Sequence, residues 1–234
     1  MVLDTETAPT IKYHDSNIHP ETMLVYDIGW IVASGDTGAI LERRSFVVAE
    51  TFYSEYMESA YYADKLPQYY EGLGTDWTAD NFINIWQQFK NDVIEYNIKN
   101  IWAYNAKFDE IVLNNTIKTY SNGFVKWFKP YKCNIRDIWD YASCITKTKK
   151  YVTWCVLNGY VSDKGNPSTS AEVVHRYLTD DNDFIEAHTA LADCEIENAI
   201  LTAAKRRHVK TRHSKGQGWR DAAATKKEMD KGTL

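Results

Sequence analysis

The hydrophobic and polar positions of this chain fall into strand-like and helix-like blocks. Met1-Val2-Leu3 is an apolar run that ends at once in Asp4-Thr5-Glu6-Thr7, which predicts a buried strand terminating in two acids. Side chains on a strand alternate between faces, so Asp4 and Glu6 project to the same side. Residues 8–21, with two prolines among mixed polar residues, predict a loop. Residues 23–32 and 40–48 are rich in β-formers and flank Ser34-Gly35-Asp36-Thr37-Gly38, which predicts an antiparallel hairpin. Three strands therefore precede the first clear helix.

Residues 52–71 carry Phe52, Tyr53, Tyr56, Tyr61, Tyr62, Tyr69 and Tyr70, with Pro67, Gly72 and Gly74 near the end, and predict a short helix and loop. Packing of these rings against the sheet is the plainer expectation; exposed tyrosines beside a groove could instead stack on bases. Thr78, with Asp80 in the first turn, predicts the start of a helix with an inner stripe of Phe82, Ile85, Phe89, Val93 and Tyr96. Residues 98–104 read as a strand and 105–120 as a helix with Phe108, Val112 and Ile117 inward. That strand-to-helix junction near Asp109 is where α/β folds place functional groups.

Further on, Pro130 and a short strand near 131–134 precede a helix over about 135–145. Lys147, Lys149 and Lys150 form a basic cluster, read as a solvated loop with phosphate contact as the alternative. Residues 151–160 fit helix and strand equally. A loop at 162–167 leads to Thr169-Ser170-Ala171-Glu172, a capping box that opens a helix through Leu178. The last helix spans about Thr189 to Arg207, with Leu191, Ile196, Ala199, Ile200 and Ala203 as its inner stripe.

With 234 residues and 44% hydrophobic content, the chain predicts one domain over 1–207 and a tail over 208–234. It has no continuous apolar run of the ~18 residues that a membrane span needs, so no membrane partner is expected. The N-terminus lacks the basic, apolar, small-residue order of a signal peptide, which points to a cytoplasmic protein. Cys133, Cys144, Cys155 and Cys194 contain no Cys-x-x-Cys pair, so they read as reduced thiols rather than a zinc knuckle. Residues 205–234 carry ten Lys/Arg against three Asp/Glu, or +7 in a chain of net charge -5, leaving -12 for residues 1–204. A negative body with a positive tail suits a protein that gathers cations at one site and meets a polyanion nearby; a solvated, flexible tail is the alternative.

The chemistry begins with Asp4 and Glu6. Two unpaired carboxylates beside an apolar strand are costly, and a hard divalent cation with oxygen ligands is the usual remedy. Asp-x-Glu alone is weak, since it recurs at Asp193-Cys194-Glu195. Two further motifs change its weight: Tyr104-Asn105-Ala106-Lys107-Phe108-Asp109 at the strand-to-helix junction, and His188-Thr189-Ala190-Leu191-Ala192-Asp193 at the opening of the last helix. In that order, the three resemble the DEDDh exonucleases, the DnaQ-like group with the ribonuclease H-like fold. The resemblance covers about residues 1–207, and the histidine five positions before Asp193, with Thr189 where the tyrosine branch has Tyr, selects the histidine branch.

The resemblance implies an α/β fold with a central mixed five-stranded sheet, an antiparallel hairpin beside parallel strands, flanked by helices. Residues 52–76 would be a tyrosine-rich insertion in the exonuclease domain. It implies that Asp4, Glu6, Asp109 and Asp193 hold two Mg2+ or Mn2+ ions, that His188 is the general base, and that Thr7, Asn105 and Phe108 meet substrate; for Phe108 a core role is equally good. An unperturbed histidine pKa near 6.5 suits the base role. The implied activity is 3'-to-5' hydrolysis of single-stranded or frayed DNA to nucleoside 5'-monophosphates. The alternatives are an RNA-trimming exonuclease with the same site and a non-catalytic nucleic-acid-binding module. The chain departs from the family pattern where Ala8-Pro9 replaces the usual Thr-Gly and Tyr104 stands where His is common. Residues 158–193 are similar to phage-encoded members. A proofreading role would need a polymerase or other replication or recombination protein as a separate partner.

Overall fold

The first strand, expected to stop at its acids, runs on through Ala8 and Pro9, which pair with Leu24 and Met23, and it is paired on both edges. A computed structural model of the chain describes residues 1–10, 19–207 and 218–232. Strand β1 (Val2–Pro9) runs antiparallel to β2 (Met23–Ala33), with Val2 opposite Ile31 and Glu6 opposite Asp27, and the register slips between Glu6 and Thr7. Such a bulge re-aims the side chains around it. Ten of the eleven residues of β2 are buried, the continuous burial of a strand covered on both faces. β3 (Ile40–Val48) completes the hairpin.

Among the described residues the sheet has six strands in the order β4-β3-β2-β1-β5-β6. β4 (Thr78–Asp80) pairs parallel with β3, while β5 (Asn100–Ala103) and β6 (Asn134–Asp137) extend the sheet in parallel on the β1 side. The sixth strand corrects the expected five and also the expected helix start at Thr78. Residues 78–80 are taken up as an edge strand, and the cap passes to Asn81, whose side chain accepts from the Asn84 amide at 2.9 Å.

Four helices follow the first three strands: α1 (Ala49–Phe52), α2 (Leu66–Gly72), α3 (Phe82–Glu95) and α4 (Ala106–Tyr120). Leu3, Ile28 and Trp30 pack with Phe82, Phe89, Val112 and Ile117 of α3 and α4. Val2 and Ile31, one position out of phase, pack on the opposite layer. That layer holds α5 (Ile138–Thr146), α6 (Lys149–Leu157), α7 (Ala171–Thr179) and α8 (Ala190–Arg206). A third cluster, with Tyr26, Phe52, Tyr69 and Trp77 buried, seats the tyrosine-rich segment on the sheet, while Tyr53, Tyr61 and Tyr70 are exposed.

Several local expectations shift. Residues 135–137 continue β6, and Asp137 caps α5 by accepting from Trp139 N at 2.9 Å, so that helix starts three residues later than expected. The undecided residues 151–160 are mostly α6, which begins at Lys149 and takes up part of the basic cluster expected in a loop. In the capping box, the Thr169 hydroxyl is taken by the Trp139 indole at 2.9 Å, so Ser170 caps α7 instead and Glu172 turns to Arg176 at 2.7 Å. On α8, Ala199 is exposed, and the buried face runs through Asp193, Cys194, Glu197, Ile200, Leu201 and Ala204. An apolar-only stripe misplaces that face because two of its members are acids.

Of the segment expected as a tail, residues 208–217 lie outside the described residues, whereas α9 (Gly218–Asp230) packs on α5 and α6 with Ala222 fully buried. The Thr225 hydroxyl donates to Lys147 O at 2.8 Å. All four cysteines are free and buried. Among the described residues, no helix is long and apolar enough to cross a membrane.

Candidate active site

Three elements deliver acids to one cleft. β1 carries Asp4 and Glu6 on the face toward α8, α4 brings Asp109 in its first turn, and α8 brings Asp193 in its own. The approach of α8 depends on Gly29 in β2: a Cβ there would lie 2.5 Å from Leu191 N and 2.6 Å from Ala190 C, inside the helix backbone. Glycine is thus the residue that lets the helix N-terminus close on the strand.

Ligand atoms of Glu6, His188 and Asp193 all lie within 4.8 Å of one another. Asp109 is held by the Thr5 hydroxyl at 2.8 Å, and Asp4 sits within the field of Glu6, Asp109 and Asp193. His188 precedes α8 in a left-handed conformation, φ 49°, which is rare for a residue with a Cβ and marks a site where surrounding contacts enforce the geometry. Its Nδ1 lies 3.6 Å from Glu186 Oε2.

The substrate residues expected from sequence are arranged differently from one another. Asn105 is exposed at the mouth of the junction with φ 61°, and its amide donates to Asp137 Oδ1 at 3.2 Å. Phe108 is half-buried against the α3–α4 core, in keeping with its packing role. The Thr7 hydroxyl lies beyond the bulge and contacts Met23 Sδ at 3.4 Å rather than the acids.

Burial and mutual repulsion raise every acid in the cleft. Enclosure by protein pushes Asp4 well above the usual carboxylate range, with Glu197, Asp109, Glu6 and Asp193 adding to it. Burial, then Asp193 and Asp27, push Glu6 up to about 9; burial and Glu186 push Asp193 to about 8. Burial raises Asp109 to about 7 against the Thr5 hydrogen bond. Lys65 opposes the rise at Glu6 and Asp193. His188 is shifted the other way, below its ordinary value, by burial and by Lys65.

Asp92 shows how this fold satisfies a structural buried acid: it accepts from Trp30 at 2.9 Å and Gln88 at 2.8 Å and pairs with Arg44 at 3.2 Å. In the cleft, by contrast, Asp193 Oδ1 and Glu197 Oε2 are buried with no hydrogen-bond partner among the described residues. Oxygen donors converging with an imidazole, with orphaned buried oxygens among them, fit hard divalent cations.

Sequence reasoning missed four participants. Asp27 is buried opposite Glu6 and accepts from Tyr69 OH at 2.6 Å and Ala190 N at 3.0 Å, so it holds the start of α8. An acid inside an otherwise apolar strand was its signal. Glu197, one turn after Asp193, is buried, accepts from Tyr104 N at 3.2 Å, and is pushed well above the carboxylate range by burial and then by Asp109 and Asp193. Lys65 donates to the carbonyls of Ala187 and His188, and Tyr62 stacks on His188; nothing local in the sequence foretold either.

No family model and no curated protein matches the sequence. Among solved structures, the chain is similar to E. coli exonuclease I in complex with a 5cy-dT13 oligonucleotide, at TM-score 0.56 and 18% identity over 88% of this chain and 40% of that one. The apo exonuclease I structure matches at TM-score 0.53 and 18% identity, over 88% and 41%. The zinc-bound E. coli ExoI–ssDNA complex matches at TM-score 0.52 and 17% identity, over 88% and 40%. The chain thus spans about 40% of the length of exonuclease I and shares its fold, a mixed sheet flanked by helices.

Proposed function

We propose that the chain is a metal-dependent 3'-to-5' exonuclease that hydrolyses phosphodiester bonds of single-stranded or frayed DNA and releases nucleoside 5'-monophosphates. The observation that carries this reading is the meeting of Glu6, His188 and Asp193 within 4.8 Å, beside Asp4 and Asp109, in a cleft whose acids are all raised. The choice of DNA draws support from exonuclease I, whose solved complexes hold dT13 and dA16 oligonucleotides.

Asp4, Glu6, Asp109 and Asp193 would hold two Mg2+ or Mn2+ ions. When bound, such ions offset the carboxylate repulsion, polarise a phosphodiester and acidify a water. His188 would accept a proton from the attacking water at its imidazole. Its depressed pKa keeps the imidazole neutral, and so able to accept, at neutral pH. Tyr62 and Lys65 fix the ring and its backbone, which limits the orientations from which the proton can be taken. Asn105, exposed at the mouth, is available to the terminal nucleotide.

The test is a digest of a 5'-labelled single-stranded DNA oligonucleotide and its RNA counterpart with Mg2+ or Mn2+. Shortening from the 3' end with release of nucleoside 5'-monophosphates, abolished by chelator, is expected for DNA. Faster release from RNA would make the enzyme an exoribonuclease, and binding without any release would make it a non-catalytic module.

A further inference from the structure

We infer that the loop over 121–133 is a second docking platform for single-stranded DNA, remote from the cleft, on which Phe124, Trp127 and Tyr131 stack with bases while Lys118, Lys126 and Lys132 face phosphates. The DNA class is taken from the proposed function, but the platform can be tested without turnover.

Charge and aromaticity coincide here. Between Glu110 and Asp137 the chain has five Lys/Arg and no acid, in a body that is otherwise strongly negative. Within that window Phe124 is 91% exposed, Trp127 68% and Tyr131 90%. Lys118, Lys126 and Lys132 are exposed among them, with Lys132 Nζ 5.8 Å from the Tyr131 ring centre.

The exposure does not come from a loose loop. Phe128 is buried against Phe89 and Phe82, at ring distances of 4.7 and 5.8 Å. Its amide donates to Asn114 Oδ1 at 2.8 Å, and its carbonyl accepts from the Trp86 indole at 2.8 Å. At the entry, Gly123 N bonds Lys118 O at 2.8 Å and Val125 N bonds Ser121 Oγ at 2.9 Å. Rings held outward on an anchored backbone lose little freedom on stacking, which favours binding.

Composition decides the occupant. The cores of protein interfaces enrich aromatic residues but deplete lysine. Aromatic rings interleaved with lysines are instead the makeup of a surface that tracks a single strand, stacking its bases and neutralising its backbone. The platform lies at the far end of the sheet from the cleft. Asn134, where the loop enters β6, pairs with Asn100 at the start of β5, whereas the acids gather past the other end of β5. Along α4, its base is about 16 Å from Asp109. It would therefore grip a strand several nucleotides away from the end being cut.

The experiment measures anisotropy of a labelled oligo-dT of about 20 nucleotides with the full chain in chelator, for the wild type, Trp127→Ala/Tyr131→Ala and Lys126→Glu, with thermal unfolding to show that each variant is folded. Binding weakened about 10-fold or more in both variants is expected, with hydrolysis of a trinucleotide unchanged. Wild-type affinity in both variants, or no oligonucleotide binding by the wild type, overturns the platform. So does loss of self-association in sedimentation with oligonucleotide affinity intact, which would make the patch a protein interface. Platform-dependent binding without cleavage would sink the proposed function and leave the platform standing; cleavage with unchanged affinity would do the reverse.

Discussion

The Tyr62 ring lies face to face on the His188 imidazole, with centroids 4.6 Å apart and planes 15° from parallel. The same tyrosine carries the Lys65 ammonium 4.7 Å from its ring centre, and that ammonium bonds the carbonyls of Ala187 and His188. A left-handed residue is therefore clamped on side chain and backbone at once. The clamp comes from the tyrosine-rich segment, not from the strands and helices that carry the acids. If His188 is the base, this segment sets its aim.

Tyr62→Ala is expected to lower kcat on a short oligonucleotide about 10-fold with little change in KM, because it frees the imidazole without touching the acids. Tyr62→Phe, which keeps the stack, should retain most of the rate. Steady-state kinetics of both variants decide it; equal losses would mean the hydroxyl, not the stack, matters.

In chelator, thermal stability should fall as pH rises. Glu6, Asp193 and Asp109 have folded pKa values of about 9, 8 and 7, above the ordinary values near 4. The folded state thus holds protons that the unfolded state releases, and the stabilisation, complete below about pH 4, is lost as pH climbs through about 7 to 9. Mn2+ should raise Tm most at the alkaline end, where the bare carboxylates repel. Asp193→Asn should flatten the metal-free slope while abolishing turnover. Scanning calorimetry across pH, with and without metal, checks the sign; a Tm that rises with pH in chelator contradicts it.

Glu197 adds a buried carboxyl one helical turn from Asp193, with one oxygen committed to Tyr104 N and the other without a hydrogen-bond partner among the described residues. Glu197→Gln keeps the acceptor and removes the charge. The Mn2+ concentration for half-maximal stabilisation should rise by roughly 10- to 100-fold, as loss of an outer-shell partner does in metal sites generally. An unchanged midpoint would show that Glu197 carries no charge toward the cation.

Gly29→Ala puts a methyl into the backbone of Ala190 and Leu191. The expected cost is about 1–3 kcal/mol in denaturant unfolding, with a disproportionate loss of activity because the displaced helix carries Asp193. A mutant of wild-type stability and rate would show that α8 can give way.

The hairpin of β2 and β3 and the helices α3, α4 and α8 were legible in the residues themselves, whereas the meeting of Glu6, His188 and Asp193 was expected only through the resemblance to the DEDDh exonucleases. Alternation by two and recurrence at three and four are local patterns, so they survive without knowledge of neighbours. Boundaries were lost where two local signals competed. Thr78 and Asn81 both offer a helix start, and the edge of β3 claimed residues 78–80. Thr169 and Ser170 both offer a cap, and Trp139 took the first.

What the sequence determined alone was therefore which residue types sit at strand and helix ends, since those depend on the chain's own period and caps. Only tertiary structure decided that Asp27 faces Glu6, that Gly29 admits α8, and that Lys65 reaches the backbone at residues 187 and 188. Those meetings depend on strand register and helix approach across tens to more than a hundred residues. A one-dimensional pattern carries no record of that distance.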